Sequence, residues 1–196
     1  MPKDAPDQTA KASPPDPLFK PQIRLDGEVN DDMFRAFRDA FAEAREGADP
    51  VVVELTTFGG DADVGRRIAT DVRLFRERTG RRPLFFGKTQ VYSAGATIMA
   101  AFLRDDRWLS RDCVLMVHCR KLNKTLDLSR ALRSERPMVE ALLAEIDTGM
   151  KVEREGFLEL IEGSDVGEDE LYAKATTNWY IDAEDCLKRG LIAGVV

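Results

Sequence analysis

From residue 22 onward the chain switches repeatedly between short continuous apolar runs and longer stretches whose apolar residues return every three or four positions. The first kind predicts strands buried on both faces, and the second predicts amphipathic helices. Strands are expected at 23–25, 51–55 (VVVEL), 83–86 (PLFF), 108–109, 113–117 (CVLMV) and in the closing LIAGVV. Between them, Phe34, Phe37 and Phe41 mark a helix over 31–45. Val64, Ile68, Val72 and Phe75 mark another over 62–78, which Gly80 is placed to end. An apolar helix follows Ser93 to about residue 103. A long helical stretch covers 126–161, with Pro137 as a point of interruption, and a shorter one begins at Glu168. Asp182 caps the last helix, DAEDCLKR, which stops at Gly190.

Strands and helices that alternate in this way specify an α/β architecture, a largely parallel sheet covered by helices. In such sheets the reactive groups collect where strands end and helices begin. Three segments occupy that position: Gly59-Gly60 after VVVEL, Ser93 after PLFF, and His118 after CVLMV.

Residues 1–21 break the pattern. Six of the nine prolines fall there (Pro2, Pro6, Pro14, Pro15, Pro17 and Pro21), which predicts a flexible or polyproline-like arm ahead of one domain over 22–196. With 196 residues and 43% apolar content, the chain can bury one sizeable core. A net charge of −6 argues against nucleic acid or an anionic membrane as partner. No run approaches the roughly 18 to 20 apolar residues of a membrane span, and the start lacks a secretory pattern. Cys113, Cys119 and Cys186 are odd in number and contain no CxxC pair, as expected of a reducing, cytoplasmic setting. A single histidine, His118, leaves any metal site short of ligands, and no cofactor is expected.

Each candidate has a structural reading beside a chemical one. Gly59-Gly60 suits a tight turn that needs φ > 0, or a bare backbone whose N–H groups face a substrate. Ser93 suits an N-cap of the following helix, or a nucleophile at a helix N-terminus. His118 suits a satisfied core histidine, yet any imidazole chemistry near neutral pH must use it. Gly87-Lys88-Thr89 resembles the end of a phosphate-binding loop, but that motif requires glycine at position 82, where Arg82 stands.

The segments TTFGGDADVG, VYSAGATIMAAF, VLMVHCR and NWYIDAEDCLKRGLI follow one another in the order seen in the ClpP-type serine peptidases, the proteolytic subunits of Clp machines. The resemblance covers about residues 22–196, and the separation of Ser93 from His118 matches the family's. It implies a crotonase/ClpP-like spiral of ββα units with a long handle helix at about 126–161. It also implies Ser93 as nucleophile, His118 as general base, and the backbone N–H groups of Gly60 and Ala94 as oxyanion hole. Gly59 and Gly60 form the turn that receives an extended substrate strand.

The sequence departs from the family at three places. Asn178, before Trp179, stands where the family has its third catalytic residue, an aspartate. An amide oxygen can orient an imidazole, but it brings no full negative charge to the imidazolium. TTFGG replaces a proline-containing glycine turn, and HCRKLNK replaces a proline- and glycine-rich segment. The implied partners are peptides or unfolded proteins, further copies of the chain in stacked rings, and an AAA+ unfoldase. The arm occupies the place of a propeptide or a pore-lining segment. Two other readings of the same fold are a catalytically weak or inactive regulatory ring subunit and a crotonase-type acyl-CoA enzyme.

Overall fold

The computed structural model describes residues 13–47 and 50–196; most of the expected arm, residues 1–12, lies outside them. Its frame is a seven-stranded sheet in the order β1-β2-β3-β4-β7, with β5 and β6 branching from β3. The strands are β1 (Ile23–Val29), β2 (Val52–Gly60), β3 (Leu84–Tyr92), β4 (Arg107–Leu109), β5 (Val114–Val117), β6 (Trp179–Asp182) and β7 (Gly194–Val195). All pairs are parallel except β5 with β6. The helices are α1 (Asp31–Ala44), α2 (Ala62–Thr79), α3 (Ala94–Ala100), α4 (Leu132–Ile161), α5 (Glu168–Ala175) and α6 (Ala183–Lys188).

Local chemistry sets the helix ends. Asn30 accepts the Met33 N–H at the start of α1, and Asp61 accepts the N–H groups of Asp63 and Val64 at the start of α2. Gly80, at φ 67°, ends α2 in the left-handed conformation expected of it. Asp182 accepts the Asp185 N–H, so its carboxylate is a helix cap. Phe37 stacks on Phe41, and Phe41 meets Phe75 edge-on, which joins α1 to α2 as the apolar periodicity predicts.

Two strands run further than the sequence suggests. VVVEL continues to Gly60, and PLFF continues to Tyr92. They continue because the polar residues beyond each apolar run still find ladder partners. Register slips between Leu55↔Gly87 and Thr57↔Val91, where Thr89 takes φ 55°. Before the slip β3 pairs with β4, and after it with β5. The irregularity thus turns the strand from one neighbour to another and delivers Ser93 at the mouth of β5. Gly87, Lys88 and Thr89 lie inside this strand, not in a strand-to-helix loop.

Alternate residues of β2 and β3 feed two cores. Val51, Val53, Leu55 and Phe85 pack with the helices, while Val52, Leu84, Phe86 and Trp108 face the other way. That second cluster is closed by Leu18, fully buried at the centre of a short 3₁₀ turn, Asp16–Phe19. The 16–19 turn is therefore docked on the sheet through Leu18, where proline content predicts a flexible or polyproline-like arm; Leu18 is apolar enough to dock once the sheet offers Phe86 and Trp108.

α4 begins at Leu132, later than the periodicity indicates, and runs unbroken through Pro137. Pro137 lies within the first two turns, so it removes a single hydrogen bond near the helix start. Glu135, 4% exposed, reaches back to accept the Arg130 N–H. The far end is fastened by Arg107, whose guanidinium donates to the carbonyls of Glu159 and Leu160 in α4, Ala100 and Phe102 around the end of α3, and Leu191. Burial lowers its pKa to about 10, which leaves it charged at neutral pH.

Candidate active site

Ser93 links β3 to α3. Its N–H donates to the Met116 carbonyl (2.8 Å), and its own carbonyl accepts from Ala96 (2.9 Å). The backbone sits at φ 54°, ψ −111°, a conformation costing a non-glycine residue about 1–3 kcal/mol. The side chain makes no capping hydrogen bond, so the N-cap explanation for a serine here fails. What holds the strained turn is close packing. A Cβ on Gly95 would lie 2.5 Å from Thr57 Cγ2, and one on Gly65 would lie 3.0 Å from the Ala94 carbonyl. The small residues around Ser93 are therefore explained by packing, and the serine itself is not.

Gly59 and Gly60 are the last residues of β2 rather than a separate turn, at φ 102° and 147°. Gly60 opposes Val29, and a Cβ there would collide with the Val29 carbonyl. A Cβ on Gly59 would come within 2.8 Å of Ser93 Cβ and 3.4 Å of Ser93 Oγ. Thr57, fully buried, fixes this strand end: its hydroxyl donates to the Gly27 carbonyl (2.5 Å) and accepts the Gly59 N–H (3.0 Å). Nothing in the sequence pattern singles out Thr57, because one buried threonine in an apolar strand looks like any other.

His118 is the residue after β5. Its Nδ1 lies 2.7 Å from the Cys119 carbonyl oxygen. A carbonyl can only accept, so Nδ1 is the donor, and in the neutral ring this leaves the lone pair on Nε2. That is the tautomer a general base needs. Burial, and next the Glu153 carboxylate, push the Cys119 thiol above its usual range, which disfavours a thiolate nucleophile beside His118. The following residue, Arg120, pairs through its guanidinium with Asp63 (2.7 Å) and through its backbone N–H with Glu153.

Gly60, Ser93, Ala94 and His118 line one cleft of about 1280 Å³, whose walls include Phe58 and, from α4, Met150. No hydrogen bond joins Ser93 Oγ to His118 among the described residues; uncomplexed active sites often close this contact only with substrate bound. Asn178 and His118 each stand one residue beyond Val117↔Trp179, the last pair of the β5–β6 ladder. Its side chain is exposed, makes no hydrogen bond among the described residues, and does not line the cleft. The residue takes φ 64°, a left-handed conformation that asparagine tolerates, so the turn into β6 accounts for its identity. In this structure the Nδ1 partner expected at Asn178 is the Cys119 carbonyl.

Among the described residues no group of His, Cys, Asp and Glu is arranged to hold a metal ion, and no helix is long and apolar enough to cross a membrane. The fold is ClpP-like. The solved structure of an asparagine-to-aspartate mutant of ClpP1 from Listeria monocytogenes matches it with a TM-score of 0.70, over 89% of this chain and 90% of that one, at 14% identity. No protein-family model and no curated protein matches the sequence.

Proposed function

We propose that the chain is a ClpP-like serine endopeptidase that hydrolyses peptide bonds in extended polypeptides. The observation that carries this reading is Ser93 itself: a strained, uncapped serine between a strand and a helix N-terminus, in a cleft shared with a histidine whose Nε2 is free to accept a proton. Strain at a residue with no capping duty is characteristic of functional positions. In the proposed reaction Ser93 Oγ attacks the substrate carbonyl while His118 Nε2 takes its proton. The carbonyl oxygen, now negative, is held by the N–H groups of Gly60 and Ala94. His118 then protonates the leaving amine, and water releases the acyl group by the reverse sequence. The open backbone of Gly59-Gly60, next to Ser93, suits an extended chain laid along β2.

Assembly of further copies into a chamber belongs to the same reading. α4 supports it by exposing Leu132, Leu143, Ile146 and Met150, the first of them 85% exposed. Fluorophosphonate labelling of wild type and Ser93→Ala, with solution mass measured in parallel, tests the proposal. The expected result is one label per chain on Ser93, none in the variant, and a mass of several chains. Asn178→Asp tests position 178: a raised labelling rate is the result expected if that residue orients His118, and an unchanged rate removes it from the site. A non-catalytic ring subunit is the second reading, favoured by the absent Ser93–His118 hydrogen bond. Assembled protein that takes no label would establish it over the first.

A further inference from the structure

The Cys119 carbonyl that accepts from His118 Nδ1 and the Arg120 N–H that donates to Glu153 belong to one peptide group. A carboxylate on α4, a peptide unit and the imidazole are thus joined in a line of two hydrogen bonds. Such chains polarise: drawing the N–H toward a negative acceptor raises electron density on the carbonyl oxygen of the same amide. The oxygen facing Nδ1 then becomes a stronger acceptor than a free backbone carbonyl.

We infer that Glu153 is the positioning residue of this site, acting on His118 through the Cys119–Arg120 peptide in the place where a direct carboxylate partner would otherwise stand. The inference rests on the peptidase reading and supplies what that reading lacks, since Asn178 makes no contact with the imidazole. Glu153 neither touches substrate nor exchanges a proton. It fixes the Nδ1–H tautomer and the ring's orientation, and it helps stabilise the imidazolium that forms when Ser93 attacks. Two further observations fit this role. The Arg120 guanidinium is anchored to Asp63 at the start of α2, so the peptide is held from both sides of the cleft. The half-buried setting of Glu153 keeps part of its field from being screened by water.

His118 is the sole histidine, so ¹⁵N-histidine labelling of the full chain gives ring-nitrogen resonances from one residue, and their couplings to the two ring carbon-bound protons tell Nδ1 from Nε2. The test compares wild type, Glu153→Gln and Glu153→Ala, with Glu140→Gln as control, since the Glu140 carboxylate pairs with Arg136 on the same helix. Wild type and the control are expected to show a protonated Nδ1 and a bare Nε2 in the neutral ring. Both Glu153 variants are expected to move toward a mixture of tautomers and to lose about tenfold in fluorophosphonate labelling rate, the difference between a charge-assisted and a neutral hydrogen bond. Glu153→Gln preserves shape and carries the test if Glu153→Ala does not fold. Unchanged ring resonances in the Glu153 variants overturn the inference whatever the labelling does, and so does a changed tautomer with an unchanged rate. If wild type takes no label while the tautomer still depends on Glu153, the positioning stands and the peptidase reading falls.

Discussion

Arg107 offers the sharpest test of how the site is held. Arg107 is 2% exposed and, among the described residues, its guanidinium makes no hydrogen bond to a carboxylate; its five hydrogen bonds all end on backbone carbonyls. Those carbonyls lie around the C-terminal ends of α3 and α4 and before β7, where helix geometry leaves acceptors without donors. Arg107→Met fills similar space but strands the acceptors. At about 1 kcal/mol each, with relief from no longer burying a charge as the opposing effect, the expected loss is about 3–5 kcal/mol. That is a large part of the 5–15 kcal/mol typical of a domain. Arg107→Lys keeps a charge but offers three donors where five bonds now form, so an intermediate loss is expected. Urea unfolding followed by circular dichroism measures both variants, with the slope checked against wild type. A loss below about 1 kcal/mol for Arg107→Met at unchanged slope would falsify the view that these carbonyls depend on the guanidinium.

Two further outcomes follow from named contacts. Gly59→Ala places a methyl group against Ser93 and is expected to abolish fluorophosphonate labelling while the protein remains folded by circular dichroism; labelling at the wild-type rate would show that β2 does not hold Ser93 in place. Hydrogen bonds from Arg189, then from Lys174, hold the Glu170 carboxyl down at about 2 against an ordinary 4.5. A depressed folded pKa contributes stability above the unfolded value and loses it as pH falls through the folded one. The melting-temperature gap between wild type and Glu170→Gln is therefore expected to be full above about pH 5 and to shrink toward pH 2; a gap that does not change with pH would refute the pairing.

Most of the framework was legible because it rests on periodicity. The Phe37–Phe41 stripe, the Val64–Phe75 stripe, the Gly80 stop and the Asp182 cap each depend on residues close in sequence, and each forms as the pattern requires. The misplaced boundaries have a common cause. Beyond Leu55 and Phe86 the strands continue on ladder hydrogen bonds whose partners, β1 and β5, are remote in the chain. Likewise the Leu18 turn forms only because Val52, Leu84, Phe86 and Trp108 converge on one side of the sheet. A proline-rich segment around a single apolar residue carries no sign of that surface.

The site was legible in the same unequal way. Strand ends point to Gly59-Gly60, Ser93 and His118, the family resemblance adds Ala94, and the topology brings Gly60, Ser93, Ala94 and His118 to one cleft. The partner of His118 could not be found so, because a backbone carbonyl has no residue type and Glu153 belongs to a helix read only for its apolar periodicity. Asn178 drew attention as the position matching a side chain in the resembling family, yet its left-handed backbone gives asparagine a sufficient reason to be there. A histidine needs an acceptor at Nδ1, not any particular residue to supply it. With the Cys119 carbonyl as that acceptor, the tautomer can be set without residue 178, and the carboxylate behind the Arg120 N–H becomes the group whose removal the labelling experiment must weigh against Asn178→Asp.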